Sequence, residues 1–155
     1  MNVSLDTIDF QILEKMQANA RISNADLARE LGMAPSAVLE RVKKLEQKKV
    51  ITQYTASINP SAFQQKLLAF IFIRASESFG TSAAGKALAK IPEVQEVHHI
   101  AGEDCYLVKV RTTDSASLME LMRNSFGKIP NIVSTRTTIV LETVKEQQQL
   151  VIPKK

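Results

Sequence analysis

The stretch from Leu27 to Arg41, LARELGMAPSAVLER, restricts the fold more than any other part of the sequence. Leu27, Ala28 and Leu31 are apolar at helical spacing, and Ala28 is small enough to let another helix cross close by. Gly32 follows where a left-handed residue ends a helix without steric cost. Pro35 stands at the first turn of a new helix, a position with no use for its missing N–H. Val38, Val42 and Leu45 then recur at helical intervals, so one face of that helix is buried and the rest is free. The free residues Ser36, Ala37, Glu40, Lys43 and Lys44 are short at the start and basic towards the end. A plain helical hairpin has the same periodicity. A helix-turn-helix adds a use for it, with small groups near base edges and long cations near phosphates. Arg41 sits at the edge of the buried stripe. Two roles are open to it: a phosphate contact beside Lys43 and Lys44, or an internal ion pair with an acid of the preceding helix.

That preceding helix has the right character. Leu5, Ile8, Ile12, Leu13 and Met16 form an apolar stripe, with Asp6 and Asp9 in the first turn, where the helix dipole favours anions. Ser23 followed by Asp26 resembles a capping box at the start of the second helix. Three short helices in the first fifty or so residues predict a trihelical DNA-binding unit. Beyond Lys48 and Lys49 the segment VITQYTASI alternates and is β-rich, which predicts a short wing or a strand leaving the unit. The chain has 155 residues and a formal net charge of +4, enough for two small domains or one of medium size. Its positive excess is local: Arg41, Lys43, Lys44, Lys48 and Lys49 outweigh Glu40 and Glu46. Cys105 is the single cysteine, which excludes an internal disulfide and a thiolate zinc cage within one chain. No basic-then-apolar stretch opens the sequence, and the apolar run from Leu67 to Ile73 is far too short to span a bilayer. A soluble, cytoplasmic protein is expected.

The second half has a different rhythm. Residues 66–75, KLLAFIFIRA, predict a strand buried on both faces or paired in an interface. A helix with Ala84, Leu88 and Ile91 follows, closed by Pro92. Strands are then predicted over 94–101 and 106–112, separated by a tight turn at Gly102. Ser115 is the predicted cap of a helix carrying Leu118, Leu121, Met122 and Phe126. A last strand is predicted over 132–143, with Val133, Thr135, Thr137, Ile139 and Leu141 on one face. The order βαββαβ is the ferredoxin-like unit, an antiparallel sheet with both helices on one side. The other side of the sheet is also apolar, and the same sheet from a second copy is the simplest cover for it. The fold class expected is therefore α+β: an N-terminal helix-turn-helix (winged-helix-like) domain, then a C-terminal ferredoxin-like βαββαβ domain. Boundaries are expected at 1–52 for the first domain, 53–65 for a linker, 66–145 for the second domain and 146–155 for a tail without a role.

His98, His99 and Cys105 are close in sequence and invite a metal or nucleophile reading. Adjacent histidines on a strand point to opposite faces, so both cannot join one mononuclear site without another chain. No carboxylate–His–nucleophile spacing is present, and Cys105 within an apolar strand reads as a small core residue. No catalytic residue, metal or cofactor is expected.

Residues in both halves carry a family resemblance. They are Leu5, Asp6, Asp9, Ile12, Leu13, Gln17, Asn19, Ala20 and Arg21, then Leu27, Ala28, Gly32, Ser36, Val38, Arg41, Val42, Leu45, Glu46, Val50, Ile51 and Tyr54. Further along they are Ile100, Ala101 and Gly102, the run Tyr106–Val110, and Thr135, Arg136 and Thr137. With these residues the chain resembles the Lrp/AsnC, or feast/famine, transcription regulators. The resemblance implies an N-terminal DNA-binding domain and a C-terminal sensing domain. It also implies homodimers that assemble further, commonly to octamers, and a small effector, commonly an amino acid, between sensing domains. The implied partners are double-stranded DNA and that effector. Helical phase, rather than the resemblance, supplies the expected DNA contacts: Ser36, Ala37 and Glu40 at base edges, and Arg41, Lys43 and Lys44 along the backbone.

The effector residues expected are Gly102, Glu103, Asp104, Tyr106, Thr135 and Thr137. A free amino acid needs acceptors for its ammonium, which Glu103 and Asp104 offer, and close backbone approach, which Gly102 allows. Thr135 and Thr137 would add hydroxyls. An ordinary hairpin turn also reads Gly-Glu-Asp, and Thr is a common strand residue. Three positions depart from the family pattern. Ala34 stands where a capping Ser is common, Lys49 where Gly is usual, and Cys105 where the motif Gly-x-x-Asp-Tyr carries Asp. A different class of function also fits a ferredoxin-like fold: an amino-acid-binding module that regulates an enzyme by protein contact.

Overall fold

The computed structural model describes residues 4–78 and 81–153. The chain divides into two units, residues 1–57 with 146–155, and residues 58–145.

The first unit is built from α1 (Thr7–Ala18), α2 (Asn24–Leu31) and α3 (Pro35–Gln47). Their starts are written in the sequence. Asp6 accepts a hydrogen bond from the Asp9 N–H, and the Asp9 carboxylate accepts one from the Asp6 N–H, a full capping box made of two aspartates. Ser23 Oγ accepts from the Asp26 N–H. Gly32 closes α2 at φ 64°, in the left-handed region. Beyond α3, Lys49 takes the same conformation at φ 55°, and the Val50 N–H reaches back to the Leu45 carbonyl at 2.9 Å. Lys49 therefore accepts the conformation that glycine usually fills. Ile12, Leu27, Ala28, Val38, Val42 and Leu45 form the buried core, and Leu5, Ile8, Leu13 and Met16 pack against it.

The strand predicted from Val50 onwards is absent. Residues 52–59 run without ladder hydrogen bonds and are exposed, because no described segment of this unit offers them a partner strand. Tyr54 is tied down nonetheless: its hydroxyl donates to Glu46 Oε1 at 2.7 Å. Burial, and then that carboxylate, push its pKa up to about 12.

In the second unit a 3₁₀ turn (Pro60–Phe63) leads into β1 (Leu67–Ala75), α4 (Ala83–Leu88), β2 (Val94–His99), β3 (Tyr106–Thr112), α5 (Ser115–Asn124), a 3₁₀ turn (Phe126–Lys128) and β4 (Ile132–Ile139). The sheet order is β2-β3-β1-β4 with every pair antiparallel, the ferredoxin-like arrangement. One face carries Ala69, Ile71, Ile73, Tyr106, Val108 and Val110, which pack with Ala84 and Leu88 of α4 and with Leu118 and Leu121 of α5. The opposite face presents Leu68, Phe70, Phe72 and Leu107, which alternate with these residues along the same strands.

Four details differ from expectation. Asp114, not Ser115, caps α5, accepting from the Ser117 N–H at 2.8 Å; a carboxylate accepts there more strongly than a hydroxyl. The helix α4 ends at Leu88, leaving Ile91 in the following turn. β2 ends at His99, where the Ile100 N–H closes the hairpin onto the Cys105 carbonyl. β4 ends at Ile139, because β1 begins at Leu67 and supplies no partner beyond the Leu68 carbonyl that accepts from Val140; Leu141 is 99% exposed.

Candidate DNA-binding and effector sites

The free face of α3 is set by what its other face buries. With Val38, Val42 and Leu45 in the core, Ser36, Glu40, Lys43 and Lys44 are exposed and Ala37 is half-buried. Leu39 joins them on the surface, a residue that apolar periodicity gave no reason to place there. Glu40 and Lys44 form an exposed ion pair one turn apart, 2.8 Å between charged atoms. Ala34 occupies the N-cap with extended backbone and gives no side-chain cap.

Arg41 points the other way. Its Nη1 donates to Asp6 Oδ2 at 2.7 Å and to Asp9 Oδ1 at 2.9 Å, joining α3 to the start of α1. The Asp6 carboxyl is held below its ordinary range first by the Asp9 N–H and then by this guanidinium. Of the two roles the sequence left open, the internal ion pair is the one the structure contains.

The second cluster lies at the β2–β3 turn. Gly102 has φ 156°, and nothing stands within 4 Å of where a Cβ would project. Glu103 is exposed, while Asp104 turns inwards to accept from Arg136 Nη2 at 3.0 Å. The Arg136 guanidinium lies 4.1 Å from the centre of the Phe72 ring, on the sheet face away from the helices. Thr135 and Thr137 pair with Ile73 and Ile71, so they face the helix side, though both are exposed at the sheet edge. Asp104 and the two threonines therefore address opposite sides of one sheet and do not converge within a protomer.

Tyr106 is 2% exposed. Its hydroxyl donates to Glu77 Oε2 at 2.7 Å, and Glu77 Oε1 accepts the Ala84 N–H at 2.6 Å. Those two donors, the amide first, keep the Glu77 carboxyl below its usual range. The ring stacks on His99 with centroids 5.0 Å apart and lies over Gly85. Glu77 and Arg136 were missed as site candidates. Arg136 stood between two nominated threonines, whereas Glu77 lies in a polar loop with no periodic pattern to mark it.

His98 and His99 do face opposite sides: His98 Nε2 meets Glu96 Oε2 at 3.1 Å, while His99 stacks on Tyr106. Cys105 is half-buried, with Sγ 3.4 Å from both the nitrogen and the oxygen of Ala75. Among the described residues no group of three or more His, Cys, Asp or Glu side chains is placed to hold a metal ion, and no helix is long and apolar enough to cross a membrane.

Residues 5–52 match the winged helix-turn-helix DNA-binding family, and residues 68–150 match the Lrp/AsnC ligand binding domain. The chain belongs to the Lrp/AsnC family. The leucine-responsive regulatory protein of Escherichia coli is 37% identical over 155 residues, covering 96% of this chain and 92% of that protein. The protein of the same name from Haemophilus influenzae is 36% identical over 160 residues, covering 97% and 92%. Among solved structures, the Mycobacterium tuberculosis feast or famine regulatory protein complexed with L-methionine superposes with a TM-score of 0.88 at 33% identity, covering 97% of this chain and all of that one. AsnC of E. coli gives 0.87 at 28% identity, covering 97% and 100%. As a member of the Lrp/AsnC family this chain is a DNA-binding transcriptional regulator with a ligand-binding domain. A helix-turn-helix match over 5–52 leaves the enzyme-regulating module without support.

Proposed function

We propose that this Lrp/AsnC regulator reads a pseudo-palindromic operator as a symmetric dimer and that a free amino acid modulates that binding. Ser36, Ala37 and Glu40 face base edges, and Lys43 and Lys44 contact phosphates, with Lys44 leaving Glu40 for the DNA. Arg41 acts behind them, fixing the angle of α3 against α1 through Asp6 and Asp9. The protein is a cytoplasmic regulator rather than an enzyme, and its dimers assemble further.

The observation that carries the effector reading is the open backbone at Gly102 beside two carboxylates. Glu103 receives the ammonium, with Asp104 leaving Arg136 to join it, and the Gly102 backbone admits the carboxylate end. Because Thr135 and Thr137 face the other side of the sheet, they join that pocket only from a neighbouring subunit. Ligand binding and assembly are then coupled reciprocally. The M. tuberculosis relative is described with L-methionine, as is a transcriptional regulator from Neisseria meningitidis of TM-score 0.86 and 26% identity, which makes an apolar amino acid the first candidate.

Thermal-shift screening of the twenty amino acids on the wild type, Gly102→Val and Asp104→Asn tests this. A stabilising amino acid whose effect both variants abolish is the expected result. An effect that survives both places the site elsewhere, and no response to any amino acid rejects the effector reading.

A further inference from the structure

Gln17 was among the residues carrying the family resemblance, yet neither the DNA contacts nor the effector site uses it. It lies half-buried in the last turn of α1, where backbone carbonyls lack partners within the helix. Its side-chain amide engages the C-terminal segment twice: Nε2 donates to the Leu150 carbonyl at 3.0 Å, and Oε1 accepts the Leu150 N–H at 2.8 Å. The Gln149 side chain completes the contact by donating to the Gln17 main-chain oxygen at 3.0 Å.

An amide that meets both the N–H and the C=O of one residue reads backbone, as a neighbouring strand would. The Leu150 side chain contributes little, being 78% exposed. This explains how a polar tail with no apolar pattern belongs to the DNA-binding unit. It also has a topological result. The chain leaves that unit after Ser57 and returns to it at Glu146, so the two units are joined by two covalent connections. The second connection is the direct continuation of β4, the strand that carries Thr135 and Thr137.

We propose that residues 146–153 are a strap linking the effector-binding strand to the DNA-binding unit, that Gln17 is its latch, and that effector occupancy reaches the DNA through it. This rests on the effector reading above. Gln17→Met keeps the length of the side chain and removes both polar contacts. Leu150→Pro removes the N–H that Oε1 accepts, and Leu150→Ala leaves the backbone contacts intact.

Two measurements on the 155-residue chain decide the matter: hydrogen exchange of the C-terminal segment, and DNA affinity with and without L-methionine or L-leucine. In Gln17→Met the Leu150 amide should exchange about tenfold faster, the size expected for losing one hydrogen bond of ordinary strength. The effector-induced change in DNA affinity should shrink at least twofold in Gln17→Met and Leu150→Pro, and stay at the wild-type value in Leu150→Ala. Unchanged exchange in Gln17→Met overturns the latch. Faster exchange with an undiminished effector response overturns the role of the strap in signalling. A wild-type chain whose DNA affinity ignores both amino acids overturns that role as well, while the exchange result still decides whether Gln17 holds the segment.

Discussion

Arg41 shows how one side chain can be basic, near a DNA-reading face, and still serve the fold. Its guanidinium is about one-third exposed and Asp9 only 15%, so the pair sits between a surface salt bridge and a buried one. Arg41→Met should cost about 1 kcal/mol, the upper part of the range for exposed pairs, measured by urea unfolding followed through helical circular dichroism. The pH dependence follows from the sign of the Asp6 shift. Its carboxyl titrates below the ordinary 3.8 in the folded chain, so its contribution is present above that value and is lost as pH falls through the lower, folded pKa. The stability difference between wild type and Asp6→Asn should therefore narrow on acidification below about pH 4, where unfolded aspartate itself protonates. Gly85 is held without a side chain by the ring beside it. A Cβ there would stand 2.6 Å from Tyr106 Cε1, and the ring cannot swing away because Glu77 holds its hydroxyl and His99 stacks against it. Gly85→Ala should lower stability by about 1–3 kcal/mol despite the better helix propensity of alanine, read as a fall in melting temperature.

At the scale of elements, α3 is a helix whose burial is well specified and whose start is not. Ala34 has the extended backbone of an N-cap but no side-chain acceptor for the first amides. Ala34→Ser should stabilise the chain by about 1 kcal/mol, the usual value of a cap, and raise the thermal midpoint accordingly. Its other end is closed by Lys49 in a left-handed conformation, with Val50 placed back over Leu45. The strand β4 is limited by its partner rather than by its own sequence. Its alternation continues in sequence to Leu141 and Thr143, but a strand lasts only as long as its partner, and β1 has run out at Leu67.

Across the whole molecule, the unexplained surface is the helix-free face of the sheet. Phe70, Phe72 and Leu107 are half-buried there beside a buried Leu68, with Arg136 over Phe72. A second copy of that face is the cover we expect, packed sheet on sheet across a two-fold axis. Sedimentation at micromolar concentration should show a dimer or a larger assembly for the wild type. Phe70→Glu, which would bury a carboxylate in the centre of the interface, should shift the distribution towards a 17.2 kDa monomer. A wild-type chain that sediments as a monomer would reject this arrangement.

Local sequence determined what depends on neighbours along the chain. The three N-terminal helices, the turn at Gly32, the order of strands and helices in the second half and the core faces of both units all follow from periodicity, caps and breakers, each acting within a few residues. The outward face of α3 was legible for the same reason, since burying Val38, Val42 and Leu45 leaves Ser36, Lys43 and Lys44 outside. Tertiary structure decided what depends on partners distant in sequence. It gave Arg41 to Asp6 and Asp9, drew Glu77 onto the buried Tyr106, turned Asp104 towards Arg136 and away from Thr135 and Thr137, ended β4 at the limit of β1, and left residues 52–59 without a partner strand among the described residues. It also brought a tail without any periodic signal back to Gln17. Each of these contacts is made by polar side chains or by backbone groups, and their partners can be chosen only after the chain has folded.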